Sequence, residues 1–568
     1  MTAEFTTIYD ALSTQRKKDQ ENGVLPKWYS TGGYQLFTQK YLYEAKDFKE
    51  QARRIATTAA KHMPSDNQNW ADKFFTLIWN GWLSCSTPVL SNTGTDRGLP
   101  VSCAGGYVSD SIDGFYSALH EQAILSQTGH GTSVYLGDIR PRGTSFSGGG
   151  KASGLMPVLE DFMTMATKVS QGGVRRGAIA SYLPMSHGDF WEVIGKLESQ
   201  PDDMNIGWAV YDKDIDLLNA KDTETINRYQ QIMKVKMVTG RGYIVFPDKI
   251  NRNRPEMYIN RGLDVKASNL CNEINLHSSE EYTFTCVLSS MNLSKWDEWK
   301  NTDAVFNATV FLDCIAEEYI HRASKYKGLE KAVAFTKAGR ALGLGACGFH
   351  SYLQDHMMDF DSFETHNWNN LVFKHMATES LRASQYMAKE LGEPEWCKGY
   401  GVRNTHRIAI APTKSTSVLM GGVSEGINPD PAMVFTQSGA AGELQRINPS
   451  LLKLMKERDK FARRYIQEII DDRGSVQNVS WLSDAEKRVF RTAFELDQRV
   501  VLRLASSRAK WIDQWQSLNL FFSADEDESY ISQVHKEAFL DENIRGLYYV
   551  YSMSNVVASK DTECIACQ

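Results

Sequence analysis

The sequence predicts an α/β fold behind an all-helical lead-in, and three observations carry that expectation. Residues 1–85 repeat apolar positions at three-to-four spacing among charges, as in Tyr43 to His62 and Trp70 to Trp82, the period of helices with one buried face. From Cys85 the texture changes to short apolar runs bounded by Gly, Pro and Ser, among them Ser133 to Leu136, Ala178 to Leu183 and Gly242 to Phe246. Glycine-rich loops join these runs to helical stretches, and such alternation belongs to a sheet whose connections leave functional loops at one end. At 568 residues, several domains and one large barrel with appended pieces are both open.

Taken in order, Ser86 to Gly94 is turn-rich, with Pro88 and Gly94 directing the chain, and Leu99 to Cys103 reads as a short buried strand. Ser111 to Gln127 has helical period, and Ser133 to Leu136 is a strand ending at Gly137. Arg140 to Lys151 is a glycine-rich loop, but Ser145 and Ala152 stand where a P-loop needs Gly and Ser or Thr. Its amides and Arg140 still suit an anion. After the helix Leu155 to Val169, Ser170 to Gly177 forms a second glycine-rich loop carrying Arg175 and Arg176.

Gly343 to Gly348 matches GxGxxG after helix-like sequence and without the acidic residue expected about 20 positions on, which favours close backbone packing. Ala409 to Gly422 reads as a strand and a hydroxyl-rich turn opening a helix; a phosphate site and a plain Ser/Thr cap both fit. Charged helical sequence fills 440–515, Asp525 to Ser529 is an exposed acidic break, and Gly546 to Tyr551 precedes a polar tail.

Hydrophobic content of 42% and charged content of 23% describe a globular protein, and a net charge of −6 argues against a nucleic-acid binder that neutralises phosphates. No apolar run approaches the ~20 residues of a membrane span, and Met1 to Gln20 carries no signal-peptide core. A cytoplasmic location, no membrane and no nucleic-acid partner are expected. Nine cysteines spread over the chain without paired CxxC motifs argue against a disulfide framework and a structural zinc site; no metal ligands are assigned.

Two cysteine-bearing stretches invite chemistry. In Ser268 to Ile274 a carboxamide, a thiol and a carboxylate recur at every second position, so an extended backbone would turn Asn269, Cys271 and Glu273 to one side. An edge strand with a buried cysteine fits the same seven residues. Cys564 and Cys567 lie in the last five residues, where a mobile dithiol would shuttle reducing equivalents between an interior disulfide and an external dithiol protein.

Asn269 to Glu273, with Cys103 upstream, Cys286 downstream, the Tyr548–Tyr549 pair and the terminal Cys564 and Cys567, resembles the large (α) subunit of class I ribonucleotide reductases, in the right order from about Thr87 to Gln568. The resemblance implies a ten-stranded α/β barrel of two five-stranded parallel halves with an interior finger loop. It divides the chain into a helical domain at 1–85, the barrel at 86–540 and a terminal segment at 541–568. It implies that Cys271 carries a thiyl radical, Glu273 acts as base on the ribose 3′-hydroxyl, Asn269 hydrogen-bonds the sugar, and Cys103 and Cys286 end as a disulfide. Tyr548 and Tyr549 would carry the oxidising equivalent from a metal-containing small (β) subunit, and Cys564 and Cys567 would pass oxidation on to thioredoxin or glutaredoxin. Thr87, Ser102, Ser415 and Thr416 resemble substrate-diphosphate ligands, Gln171 and Arg175 belong to a loop that reports effector identity to the substrate base, and Asp110 and Arg140 resemble effector ligands at a homodimer interface. The implied ligands are ribonucleoside diphosphates and a deoxynucleotide or ATP effector with Mg2+, with no covalently bound cofactor. Lys414 matches no fixed residue type, and its role stays open.

An adenosylcobalamin-dependent class II reductase and a non-radical thiol-disulfide or nucleotide-binding protein are the alternatives. Many members of the family begin with an ATP cone of roughly a hundred residues, which residues 1–85 do not resemble. The expected outcome is activity retained at high dATP; strong inhibition through a site on this chain would contradict it.

Overall fold

The computed structural model describes residues 3–171, 177–439 and 442–552. Its helical lead-in comprises Ala3–Glu21, Thr31–Leu36, Phe48–Ala60 and Asn67–Trp79. Phe48–Ala60 starts where the Asp47 side chain accepts the Glu50 amide, a standard N-cap. It buries Phe48, Ala52, Ile55, Ala56 and Ala59, the helical stripe legible in the sequence. Phe74 of the next helix meets Phe311 edge-on at 5.3 Å, which fastens the lead-in to the long helix Ala304–Ala323.

Among the described residues thirteen strands follow: β1 (Leu83–Cys85), β2 (Cys103–Tyr107), β3 (Gly131–Tyr135), β4 (Ile179–Pro184), β5 (Asn205–Ala209), β6 (Tyr243–Val245), β7 (Phe284–Asn292), β8 (Leu342–Cys347), β9 (Val434–Gly439), β10 (Gly442–Ile447), β11 (Leu520–Phe522), β12 (Gly546–Leu547) and β13 (Val550–Ser552). β2 to β6 pair in parallel, in sequence order. β7 runs antiparallel to β2 and parallel to β8. The circuit continues through extended segments: Leu342 and Leu344 amides donate to the His406 and Arg407 carbonyls, and Ile410 bridges Gln516 in parallel. β11 pairs in parallel with β13, and β12 closes antiparallel onto β6. The sheet is thus a closed barrel of two parallel halves, β2–β6 and β7, β8, 406–411, 514–522, 546–552, joined antiparallel at two seams. This is the ten-stranded architecture that the resemblance implied.

Strand alternation separates two cores. Tyr243 and Val245 of β6 belong to an inner cluster with Cys103, Tyr182, Cys271, Cys286, Tyr548 and Tyr549, whereas Ile244 joins the outer layer under the helices. Small residues keep the interior open. A Cβ on Gly343 would stand 2.3 Å from the Leu288 side chain and 2.9 Å from Cys286 Sγ, and one on Gly345 would stand 2.7 Å from the Ala409 carbonyl oxygen. The GxGxxG run is therefore an interior strand, and close packing explains its glycines.

Asp313 ties the outer helices to the barrel. Its carboxylate accepts from Arg340 Nε at 2.8 Å, Arg403 Nε at 2.9 Å and Asn404 Nδ2 at 2.9 Å. Burial alone would raise this carboxyl's pKa, but the two guanidiniums overturn that and hold it at about 2. No described helix is long and apolar enough to cross a membrane. Replacing Asp313 by Ala leaves the partly buried Arg403 guanidinium without a carboxylate and Arg340 with Glu317 alone, and should cost ~3 kcal/mol, read as a lower urea midpoint. Because the folded pKa is depressed, the carboxylate's contribution is present above the ordinary carboxylate range and is lost as pH falls towards 2. The difference between the two proteins should therefore narrow in acid.

Candidate active site

Ser268 to Ile274 lies inside the barrel as a tight loop with its turn at Leu270 and Cys271. The stretch is the interior loop that the resemblance implied, not the extended segment that its alternation alone would allow: Asn269 folds the chain back on itself. Its Oδ1 accepts the Glu273 amide at 3.0 Å and the Ile274 amide at 3.1 Å, and its backbone carbonyl accepts the Asn272 amide at 3.2 Å. Asn272 takes the left-handed conformation at φ +64°, which Asn tolerates better than most residues. Ser268 Oγ closes the neck by donating to the Ile274 carbonyl at 2.8 Å.

Both halves of the barrel grip this loop. Tyr182 Oη on β4 donates to the Asn269 carbonyl at 2.7 Å, and Asn272 Nδ2 donates to the Ile244 carbonyl of β6 at 3.1 Å. From the other half, Ser517 Oγ donates to the Cys271 carbonyl at 2.6 Å and lies 3.3 Å from Glu273 Oε2, while the Trp515 amide donates to the Glu273 carbonyl at 2.9 Å. Asn269, Cys271 and Glu273 are all buried. A thiol, a carboxylate and a carboxamide are thus presented on one rigid turn.

The cysteine pair stands at the first seam, where Cys103 of β2 is directly opposite Cys286 of β7. Antiparallel partners have Cα atoms ~4.5–5.5 Å apart, within the span of a disulfide. Asn269 Nδ2 reaches Cys103 Sγ at 3.3 Å, and Gln514 Nε2 lies 3.5 Å from Cys286 Sγ. Burial pushes the Cys286 thiol well above its ordinary pKa, so the protonated form is favoured. Cys85, Cys347 and Cys397, also buried, are pushed up to about 12 for the same reason and lack such company.

At the second seam the strand breaks between β12 and β13, at Tyr548 and Tyr549, so two consecutive side chains both join the inner cluster. Their ring centroids are 4.2 Å apart. Sequence reasoning missed a third member: Tyr243 of β6 lies 4.8 Å from the Tyr548 ring and 5.3 Å from Tyr549, and its hydroxyl is 3.0 Å from that of Tyr549. Its place two residues before Val245 on an alternating strand was the available signal. Lys236, fully buried, donates to the Gly242 carbonyl at 3.0 Å and to the Tyr548 carbonyl at 2.5 Å, holding the two strands together. Burial lowers its pKa to about 7.

The remaining expected site residues fall in three places. Thr87 opens the helix Thr87–Asn92 and its Oγ1 is 3.1 Å from Tyr41 Oη; Ser102 is buried just before β2. Ser415 and Thr416 are buried in the helix Lys414–Leu419, which packs against β1 immediately before Thr87. Thr413 precedes that helix at φ +58°, its Oγ1 accepting the Gly426 amide at 2.8 Å. Gln171 Nε2 donates to Asn92 Oδ1 at 3.2 Å and to the Arg97 carbonyl at 3.0 Å, so Gln171 itself is attached to the end of the Thr87 helix. Asp110 and Arg140 form an ion pair with each other, partly exposed and apart from the interior loop. Arg175, Cys564 and Cys567 lie outside the described residues. Among the described residues no group of three or more His, Cys, Asp and Glu could hold a metal ion.

Comparison with known proteins agrees with this geometry. Residues 27–98 match the ribonucleotide reductase all-alpha domain, and 101–227, 202–400 and 393–550 match the ribonucleotide reductase barrel domain. The class Id ribonucleotide reductase alpha subunit of Actinobacillus ureae superimposes with a TM-score of 0.86 at 36% identity, over 95% of this chain and 99% of that one. The ribonucleoside-diphosphate reductase large subunit of Invertebrate iridescent virus 3 is 29% identical over 632 residues, covering 97% of this chain and 95% of its own. That of Vaccinia virus (strain Copenhagen) is 25% identical over 609 residues, covering 92% and 77%. With both domain models matched in order along the chain, the protein belongs to the ribonucleotide reductase large-subunit family.

Proposed function

We propose that this chain is the catalytic subunit of a ribonucleoside-diphosphate reductase working by thiyl-radical chemistry. The carrying observation is one loop that presents Cys271, Glu273 and Asn269 beside the directly opposed Cys103 and Cys286. In this reading a Cys271 thiyl takes the 3′-hydrogen of the ribose while Glu273 takes the 3′-hydroxyl proton. The 2′-hydroxyl, protonated from the cysteine pair, leaves as water. Cys103 and Cys286 supply two electrons and the second thiol hydrogen, which goes to C2′, and become a disulfide; Glu273 returns the proton to the 3′-oxygen, and Cys271 returns its hydrogen to C3′, regenerating the thiyl. The balance is ribonucleotide plus dithiol to deoxyribonucleotide, disulfide and water. A protonated Cys286 suits the step, because the pair must deliver protons as well as electrons.

The Tyr243–Tyr548–Tyr549 array supports delivery of the oxidising equivalent from a metal-containing small subunit, since phenols can lose an electron and a proton together. The starts of the Thr87 and Lys414 helices suit the substrate diphosphate. The bond from Gln171 to Asn92 offers a physical link by which an Mg2+-bound deoxynucleotide or ATP effector near Asp110 and Arg140, at a homodimer interface, would reach the substrate side. Cys564 and Cys567 would re-reduce the interior pair and hand oxidation to thioredoxin or glutaredoxin in the cytoplasm.

Labelled CDP assayed with and without a candidate small subunit should yield deoxy-product only with it. Cys271→Ser should abolish turnover with Cys103 and Cys286 intact, because a serine O–H is too strong to form the radical; surviving turnover would sink the thiyl mechanism. Tyr549→Phe should likewise be inactive. Full activity of that variant with adenosylcobalamin alone would move the protein to the class II mechanism.

A further inference from the structure

Lys414 is placed between two parts of the machinery that the reading above keeps separate. It is the first residue of the helix Lys414–Leu419, immediately before Ser415 and Thr416, on the turn assigned to the substrate diphosphate. Its ammonium lies 5.9 Å from the centroid of the Tyr549 ring and 5.5 Å from that of Tyr551, both within cation–π range. The two rings are 5.8 Å apart, and Tyr551 is itself stacked on Phe521 at 5.1 Å, so the cation faces a braced aromatic surface. One flexible side chain thus spans from the phosphate turn to the outer end of the tyrosine array.

A charge-assisted contact with phosphate oxygens is stronger than a contact with a ring face. A diphosphate held by Ser415 and Thr416 would therefore compete with the rings for this ammonium. We propose that Lys414 is a positioning residue that couples substrate binding to the oxidation of Tyr549: on the rings it restrains the oxidation, and drawn to the substrate diphosphate it releases the restraint. Oxidation sends one electron from Tyr549 to the one-electron oxidant of the radical-supplying subunit and the phenolic proton to water. The neutral radical left behind has less ring electron density than the phenol, so a cation over the face favours the unoxidised ring. The device would keep a thiyl radical from forming at Cys271 before there is a ribose to reduce. It rests on the reductase reading given above.

The test uses the full chain with 3-fluorotyrosine at position 549, in the parent and in Lys414→Met, Lys414→Gln and Lys414→Arg variants. CDP should shift the fluorine resonance in the parent and in the Arg variant and leave it unmoved in the two neutral variants. With the small subunit added and no nucleotide, the neutral variants should lose the small subunit's oxidant about two- to fivefold faster than the parent, the size expected for one cation–π contact. Lys414→Arg should restore the parent rate. A fluorine shift of equal size in the neutral variants would overturn the proposal. So would a raised KM for CDP with an unchanged nucleotide-free rate, which would make Lys414 a phosphate ligand only. If the parent protein fails to reduce CDP with any small subunit while the fluorine still responds to CDP through Lys414, the reductase reading fails and with it the restraint on oxidation, whereas the movement of Lys414 between rings and phosphate stands.

Discussion

A closed barrel can hold a segment of its own chain only if every polar group of that segment finds a partner away from water, and the rest of the site depends on how this constraint is met. The Asn269 side chain does most of it. Its oxygen accepts two amides of the loop and its nitrogen reaches Cys103, so one carboxamide shapes the turn and sets the loop against the cysteine pair. Tyr182, Ser517 and the Trp515 amide take up carbonyls from both halves of the barrel. Rigidity here is a by-product of polar satisfaction, and it is what the proposed radical chemistry at one sulfur would require.

The cysteine pair and the tyrosine array stand at different seams of the barrel. Within each half the strands run parallel, and the antiparallel joints bring chain ends of opposite direction side by side. At the β2–β7 seam, register alone sets Cys103 opposite Cys286; a slip of one residue would turn Cys286 to the outer layer and separate the thiols. At the other seam, the chain leaves β6 after β12 and joins β11 through β13. That break frees Tyr548 and Tyr549 from the rule that neighbours on a strand face opposite sides. Tyr243 then completes the array from β6.

Two buried charges, Asp313 and Lys236, are satisfied by partners from separate stretches of chain. Asp313 is shared by Arg340 and Arg403, and Lys236 is satisfied by two carbonyls that belong to the strands of the tyrosine seam. Each sits where separate stretches of chain must stay in fixed relation, so its loss would be felt as misplacement of what it joins.

Much was legible from residues alone. Period and turn chemistry located the helices Ile112–Gln127 and Met156–Lys168 and the strands β3, β4 and β6 to within a residue or two. The order of the cysteine, carboxamide, carboxylate and tyrosine motifs pointed to the family. Those signals survive in one dimension because they depend on residue type and near-neighbour spacing. Tyr243, Tyr182, Ser517 and Lys414 acquire meaning only through contacts across 87 to 306 residues or between separate elements, and no local pattern encodes those. The loop at 268–274 shows the division most plainly. Its sequence determined which groups are present, and alternation made a strand a fair reading of how they converge. The fold decided otherwise, because inside a barrel no neighbouring strand was left to pair with it, and Asn269 supplied the hydrogen bonds that a sheet would have given.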